Sequence, residues 1–202
     1  MTGEPGPDTT VLFVCTGNTY RSPLAERLLA ARLGPDSPVR VSSAGTRAAA
    51  GDRMDPATRS VLTELGVTGT GFRPRPLTTE MVTRASLVLG MEGEHREAAV
   101  RLVPLALRRC FTLREFVRLA EGHRPEGSDP GPGPGRADVP DLVARAAARR
   151  GTVAPPGPGA DAVPDPCGEP YDVLRRCAED IDALAVRLAA LLSAVRAPAA
   201  RL

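Results

Sequence analysis

Short apolar runs alternate along this chain with longer segments whose apolar residues recur at helical spacing. Strands are predicted near Val11 to Val14, Val39 to Ser42, Ser86 to Gly90 and Arg108 to Phe111. Helices are predicted near Pro23 to Leu33, Asp55 to Leu65, Gly93 to Leu102, Leu113 to Glu121 and Pro170 to Val195. Strands interleaved with helices imply an α/β fold of three layers, a four-stranded parallel sheet with helices on both faces. In the last helix Val173, Leu174, Cys177, Ile181, Leu184, Leu188, Leu191 and Leu192 share one broad face, which is predicted to pack on the sheet.

The alternation breaks between the fourth strand-helix unit and the last helix. Residues 122–140 and 151–164 are rich in Pro and Gly, and Asp141 to Arg150 between them reads as a basic, alanine-rich helix. The predicted organisation is a disordered leader over 1–9, one domain over 10–197 with a flexible insertion at about 122–162, and a frayed tail over 198–202. The insertion reads either as a lid, with Arg145, Arg149 and Arg150 contacting an anionic substrate or partner, or as a tolerated insertion with a solvated helix. His95 and His123 read as surface residues.

Composition narrows the class. The chain has 202 residues, 42% of them hydrophobic and 25% charged, enough for one sizeable core. A net charge of +2 is too small to imply nucleic acid, and no apolar run reaches transmembrane length. The start carries Glu4 and Asp8 rather than a basic, apolar signal, and four Cys suit a reducing compartment, so the expected location is cytoplasmic. A monomer or weak homodimer is expected. The Cys and the two His make no metal-ligand spacing, and neither metal nor cofactor is expected.

The chemistry concentrates where the first strand meets the first helix, in Cys15-Thr16-Gly17-Asn18-Thr19-Tyr20-Arg21-Ser22-Pro23. Gly17 permits a tight curl that turns the N–H groups from Thr16 through Thr19 and Tyr20 to Arg21 inward as an anion nest. Asn18 tolerates left-handed backbone and braces the turn. Ser22 and Pro23 suit the N-cap and first helical positions, which aims the positive end of the helix at the nest. Arg21 offers a fork for two phosphoryl oxygens, a task for which Lys is less suited. The same field favours thiolate over thiol at Cys15, and the Ser22 hydroxyl is placed to hydrogen-bond that sulfur. The implied reaction is thiolate attack on phosphorus, giving a phosphocysteine that water hydrolyses.

This octet and its flanks resemble the active-site loop of the low-molecular-weight protein tyrosine phosphatases, a superfamily that includes thiol-dependent arsenate reductases. The resemblance continues through Val41 to Thr46, Met54 to Thr58, Phe72 to Leu77 and Ser86 to Met91, and Leu102 to Phe116 is similar to the longer bacterial branch. The family carries its general acid in an Asp-Pro pair before the last helix, and Asp165-Pro166 stands there. The resemblance therefore implies Asp165 as the group that protonates the leaving oxygen and then takes a proton from water.

Four positions depart from the family pattern. Tyr20 replaces a second loop Cys, Cys167 and Gly168 replace aromatics after the Asp-Pro pair, and Ser86 stands where the strand often opens with Asp. Aromatic residues make up only 3% of the chain, so the ring-stacking surface is thin. Cys167 reads either as a neutral pocket residue or as a disulfide partner for Cys15, while Cys110 and Cys177 read as structural. The function implied is a cysteine-dependent phosphomonoester hydrolase acting on phosphotyrosyl protein. The alternatives are a phosphatase for a small phosphorylated metabolite and, ranked last, an arsenate reductase.

Overall fold

In the computed structural model, which describes residues 9–49, 51, 53–121, 138–155 and 157–193, the first apolar run forms β1 (Thr9–Cys15). It lies between β2 (Val39–Gly45) and β3 (Leu87–Gly90), and β4 (Cys110–Thr112) pairs with the outer side of β3. The order is β2-β1-β3-β4 and every pairing is parallel. The alternation of side chains then builds two cores. Val11, Phe13, Leu87 and Leu89 join one buried cluster, whereas Leu12, Val14 and Val88 join the other.

Helices cover both faces. On the first lie α1 (Arg21–Leu33), α5 (Leu113–Glu121) and α7 (Tyr171–Ser193). On the second lie α3 (Thr79–Arg84), α4 (Gly93–Leu102) and a 3-10 helix, Pro104–Arg109. In α7 the buried stripe is Leu174, Ala178, Ile181, Leu184, Ala185, Leu188 and Leu192, each large one contributing about 2 kcal/mol on burial. The helix α2 (Pro56–Glu64) is capped by Asp55, whose carboxylate accepts from the N–H groups of Ala57 and Thr58 at 2.8 and 3.3 Å.

The differences from the sequence reading have local causes. Arg108 and Arg109 close the 3-10 helix, so β4 starts at Cys110 instead of Arg108. The six-residue α3 is too short to show a helical repeat and was not expected. Thr9 pairs with Val39 as the first residue of β1 and is not leader. Residues 1–8, 122–137 and 194–202, with His123 among them, lie outside the described residues.

The insertion needs the largest correction. Of the flexible stretch expected at about 122–162, the part from Asp138 onward is packed, with Val139, Leu142, Val143 and Ala146 of α6 (Val139–Ala148) buried in the first core. Behind it Arg118 grips Asp161 through Nε and Nη2 at 3.1 and 2.7 Å and the Val153 carbonyl through Nη1. Arg150 is not a substrate contact. Its Nε lies 2.9 Å from Glu115 Oε1, its other nitrogens donate to the carbonyls of Leu107 and Cys110, and its guanidinium stacks 3.9 Å from the Phe111 ring centroid. Glu115 meanwhile forms a reciprocal capping box with Thr112 at the start of α5. The lid reading fails for α6 because its Val143 and Ala144 line a cleft with Ser86 and Arg109, at the amino ends of β3 and β4.

Candidate active site

The carboxyl ends of β1 and β3 diverge toward different connections, and ligands of open α/β sheets bind at such a point. There β1 delivers Cys15, 2% exposed, into a loop that closes on α1. The carbonyls of Cys15, Thr16 and Thr19 point outward, accepting from the N–H groups of Thr46, Arg47 and Asp55 at 2.9, 2.8 and 3.4 Å. Among the described residues no backbone acceptor takes the N–H groups of Gly17, Asn18, Thr19 or Tyr20. These are the orphan donors that an anion satisfies.

Asn18 has φ 55°, the one left-handed non-glycine among the described residues, and is fully buried. Its amide donates to Ser22 Oγ at 2.9 Å and Ser43 Oγ at 2.8 Å, and its Oδ1 accepts from the Arg75 N–H at 3.0 Å. Ser43 in turn donates to Glu26 Oε2 at 2.6 Å. Burial pushes the Glu26 carboxyl above its ordinary value, opposed by Ser43 and by Arg75.

Ser22 Oγ accepts from Asn18, lies 2.9 Å from Cys15 Sγ and has the Ala44 carbonyl 3.5 Å away, so its hydroxyl is within reach to donate to a thiolate at position 15. The helix begins earlier than the sequence reading placed it. Tyr20 is the N-cap and Arg21 the first helical residue, with Ser22 and Pro23 inside the first turn, where Pro lacks only a donor that would have no partner.

Arg21 lies beneath the loop, 1% exposed. Its Nη1 donates to Glu92 Oε2 at 2.6 Å and to the Val163 carbonyl at 3.0 Å, and its Nη2 donates to Asp165 Oδ2 at 2.7 Å. Asp165, 144 positions downstream of Arg21, is thus brought to the loop. Val163 reaches it because its N–H bonds the Met91 carbonyl at the end of β3, at 2.8 Å. Asp165 Oδ1 accepts from the Cys167 N–H at 3.2 Å, which turns the segment back toward α7.

His95 is the clearest miss of the sequence reading, which put it on the surface. It is fully buried, its Nε2 lies 3.0 Å from Thr16 Oγ1 and its Nδ1 accepts from the Glu92 N–H at 3.1 Å. That pattern assigns the neutral tautomer with hydrogen on Nε2. Burial, and then the charge of Arg21, lower the His95 pKa from its ordinary 6.5. The unfolded chain therefore takes up a proton before the folded one does, and stability rises with pH where that difference exists. Denaturant titrations should show stability falling as pH drops below about 6.5, and His95→Gln should flatten that fall. Glu92, Glu94 and His95 bring ligand atoms within 4.8 Å of one another, but both ring nitrogens of His95 are engaged with loop and turn, which suits bracing rather than metal.

Glycines make these approaches possible. A Cβ on Gly45 would meet the Thr16 carbonyl oxygen at 2.6 Å and the Asn18 nitrogen at 2.9 Å. One on Gly90 would meet the nitrogen of Arg96 at 2.7 Å and the oxygen of Glu92 at 2.9 Å. Tyr20 hydrogen-bonds the Asp55 carboxylate, and burial together with that partner pushes its hydroxyl up to about 12, so it stays protonated. All four thiols are free: Cys167 is exposed, while burial raises Cys110 and Cys177 to about 11 and keeps them inert.

Residues 10–143 match the low molecular weight phosphotyrosine protein phosphatase family. A protein-arginine-phosphatase of Geobacillus stearothermophilus is 39% identical over 124 residues, 61% of this chain and 80% of that one. The low molecular weight protein-tyrosine-phosphatase Etp of Escherichia coli strain K12 is 39% identical over 95 residues, 47% of this chain and 62% of that one. In three dimensions the arginine phosphatase YwlE of Geobacillus stearothermophilus superposes with a TM-score of 0.65 at 31% identity, covering 92% of this chain and 93% of the other. The parallel sheet, the loop that follows its first strand and this match over 10–143 together place the chain in the low molecular weight phosphotyrosine protein phosphatase family, as a cysteine-dependent phosphatase.

Proposed function

We propose that the chain hydrolyses phosphorylated side chains of proteins, phosphotyrosine first among them, with Cys15 as nucleophile, Arg21 as phosphoryl clamp and Asp165 as general acid and base. The observation that carries this reading is the convergence of three segments: Cys15 with the Ser22 hydroxyl at 2.9 Å, the buried guanidinium of Arg21, and Asp165 held on its Nη2 at 2.7 Å. The phosphoryl group sits in the nest of loop N–H groups from Thr16 to Ser22 and displaces Asp165 from Nη2. Two oxygens take the guanidinium fork while Glu92 and the Val163 carbonyl keep Nη1 aimed.

The sulfur then attacks phosphorus in line. The S–P bond forms, the bond from phosphorus to the tyrosyl oxygen breaks, and Asp165 gives that oxygen its proton. In the second step water attacks phosphorus, Asp165 takes the proton from water, and the S–P bond breaks to release inorganic phosphate. The Ser22 hydrogen stabilises the returning thiolate. Tyr20, tied to Asp55, supplies the aromatic surface next to Asp165 and Cys167.

Phosphoarginine is the second reading. The Geobacillus relative carries that activity in its name, and Cys167 and Gly168 leave little aromatic wall beyond Asp165. There the bond broken joins phosphorus to nitrogen, and Asp165 protonates the departing guanidine. A metabolite phosphatase loses the support the insertion offered, because Arg150 is spent on Glu115 and Phe111.

The test compares a phosphotyrosyl with a phosphoarginyl peptide, each with wild type and with Asp165→Asn. The variant should lower kcat on the preferred peptide by about 10²- to 10³-fold and far less on an aryl phosphate whose leaving group needs no proton. Equal losses on all substrates would remove Asp165 from the acid role.

A further inference from the structure

Beside the loop, outside the residues used for chemistry, lies a cleft of about 230 Å³ between the start of α2 and residues 69–73. Arg53, Arg59 and Arg73 line it, with Thr70 and Phe72 as its apolar and hydroxyl wall. All three arginines are exposed, and among the described residues none has an acidic side chain within ion-pair distance. Elsewhere Arg32, Arg114, Arg118, Arg175, Arg176 and Arg187 are each neutralised by a carboxylate, so the cleft gathers three arginines that are not. Among the described residues the nearby carboxylates are occupied elsewhere: Asp55 caps α2 and holds Tyr20, and Glu26 bonds Ser43.

The cleft is built rather than left over. Gly69 sits on the buried Met54, so close that a Cβ would meet Met54 Sδ at 2.8 Å. Arg27 stacks 5.6 Å from the Phe72 ring centroid and donates to the Thr70 carbonyl at 3.5 Å, which adds a fourth positive charge to the rim. Both walls also join the phosphate loop within two residues. Arg53 precedes Asp55, whose N–H bonds the Thr19 carbonyl, and Arg73 precedes Arg75, whose N–H bonds Asn18 Oδ1.

We infer that this arginine cleft binds acidic side chains of the substrate protein that flank the phosphorylated residue. An extended peptide advances about 3.4 Å per residue, so with its phosphoryl group in the nest its carboxylates a few positions away fall over Arg53, Arg59 and Arg73. Unpaired guanidinium forks match carboxylates geometrically, and a positive rim raises the encounter rate with an acidic segment. The inference rests on the protein-phosphatase reading and adds to it a rule for choosing among protein substrates.

The experiment uses the full chain, two phosphotyrosyl peptides that differ only in flanking Glu or Gln, and para-nitrophenyl phosphate. Wild type should favour the Glu peptide by about five- to tenfold in kcat/KM at low salt, the preference shrinking as salt screens exposed pairs. The triple variant Arg53→Ala, Arg59→Ala, Arg73→Ala should lose the preference while keeping para-nitrophenyl phosphate turnover. Binding of the same Glu peptide without its phosphate, read by fluorescence anisotropy, should weaken by a similar factor in the triple variant. Unchanged anisotropy in the variant, or equal turnover of both peptides by an enzyme that hydrolyses the aryl phosphate, overturns the cleft. Loss of aryl phosphate turnover in wild type would instead overturn the catalytic reading, with the anisotropy comparison still deciding the cleft.

Discussion

Cys15→Ser is expected to lower kcat on para-nitrophenyl phosphate by roughly 10⁵-fold, the scale on which removing a covalent nucleophile acts, while inorganic phosphate still binds. The geometry explains why serine is a poor substitute in turnover. Among the described residues nothing beside position 15 is placed to remove a hydroxyl proton. Ser22 offers a hydroxyl rather than a base, His95 directs Nε2 to Thr16, and Asp165 faces Arg21. A thiol needs less help because sulfur is intrinsically the better nucleophile and a far stronger acid than a serine hydroxyl. Calorimetry with phosphate separates the two effects, since the loop N–H groups and Arg21 remain. Loss of binding along with turnover would show that the substitution collapsed the loop.

The second large effect is expected from Arg21→Lys, a loss of about 10³-fold in kcat, within the range seen when a transition-state donor is removed. One ammonium cannot reach Glu92, the Val163 carbonyl and a phosphoryl oxygen at once, whereas the guanidinium spans all three directions from a fully buried position. Asp165 would also lose its anchor on Nη2, so KM should rise. Kinetics on an aryl phosphate, with folding checked by circular dichroism, measures both. A kcat within tenfold of wild type would mean that charge alone suffices and the fork is unnecessary.

The candidate site was legible in the sequence wherever its residues are local. From Cys15 to Ser22 the loop residues are contiguous, and each has a conformational or electronic reason to stand where it does. Asp165 is remote and was reached only through resemblance to a family that carries its acid before the last helix.

Glu92 and His95 escaped because the turn that holds them reads as an ordinary charged helix start. Only the missing Cβ of Gly90 lets that turn fold over the strand end and bury an imidazole. Glu26 and Ser43 were hidden for a similar reason. They matter through Asn18, and sequence spacing does not show which buried amide gathers them.

The insertion misled in the opposite direction. Its Pro and Gly content suggested mobility, yet Val139, Leu142, Val143 and Ala146 form a short apolar stripe, and Arg150 locks its far end to β4. The first and third strands were read more closely because Val11-Leu12-Phe13-Val14 and Leu87-Val88-Leu89 carry their own signal. The carboxyl end of the second moved where backbone pairing continued through Ser43, Ala44 and Gly45, residues with little intrinsic strand preference.

The account stands on a covalent intermediate at one sulfur. Rapid acid quenching of wild type during turnover of a phosphotyrosyl peptide, followed by peptide mapping in the mass spectrometer, reads that sulfur directly. The prediction is a phosphate on Cys15 that appears within the first turnover and is absent from Cys15→Ser. Steady hydrolysis with no phosphate on Cys15 at any quench time, or with phosphate on another residue, would contradict it.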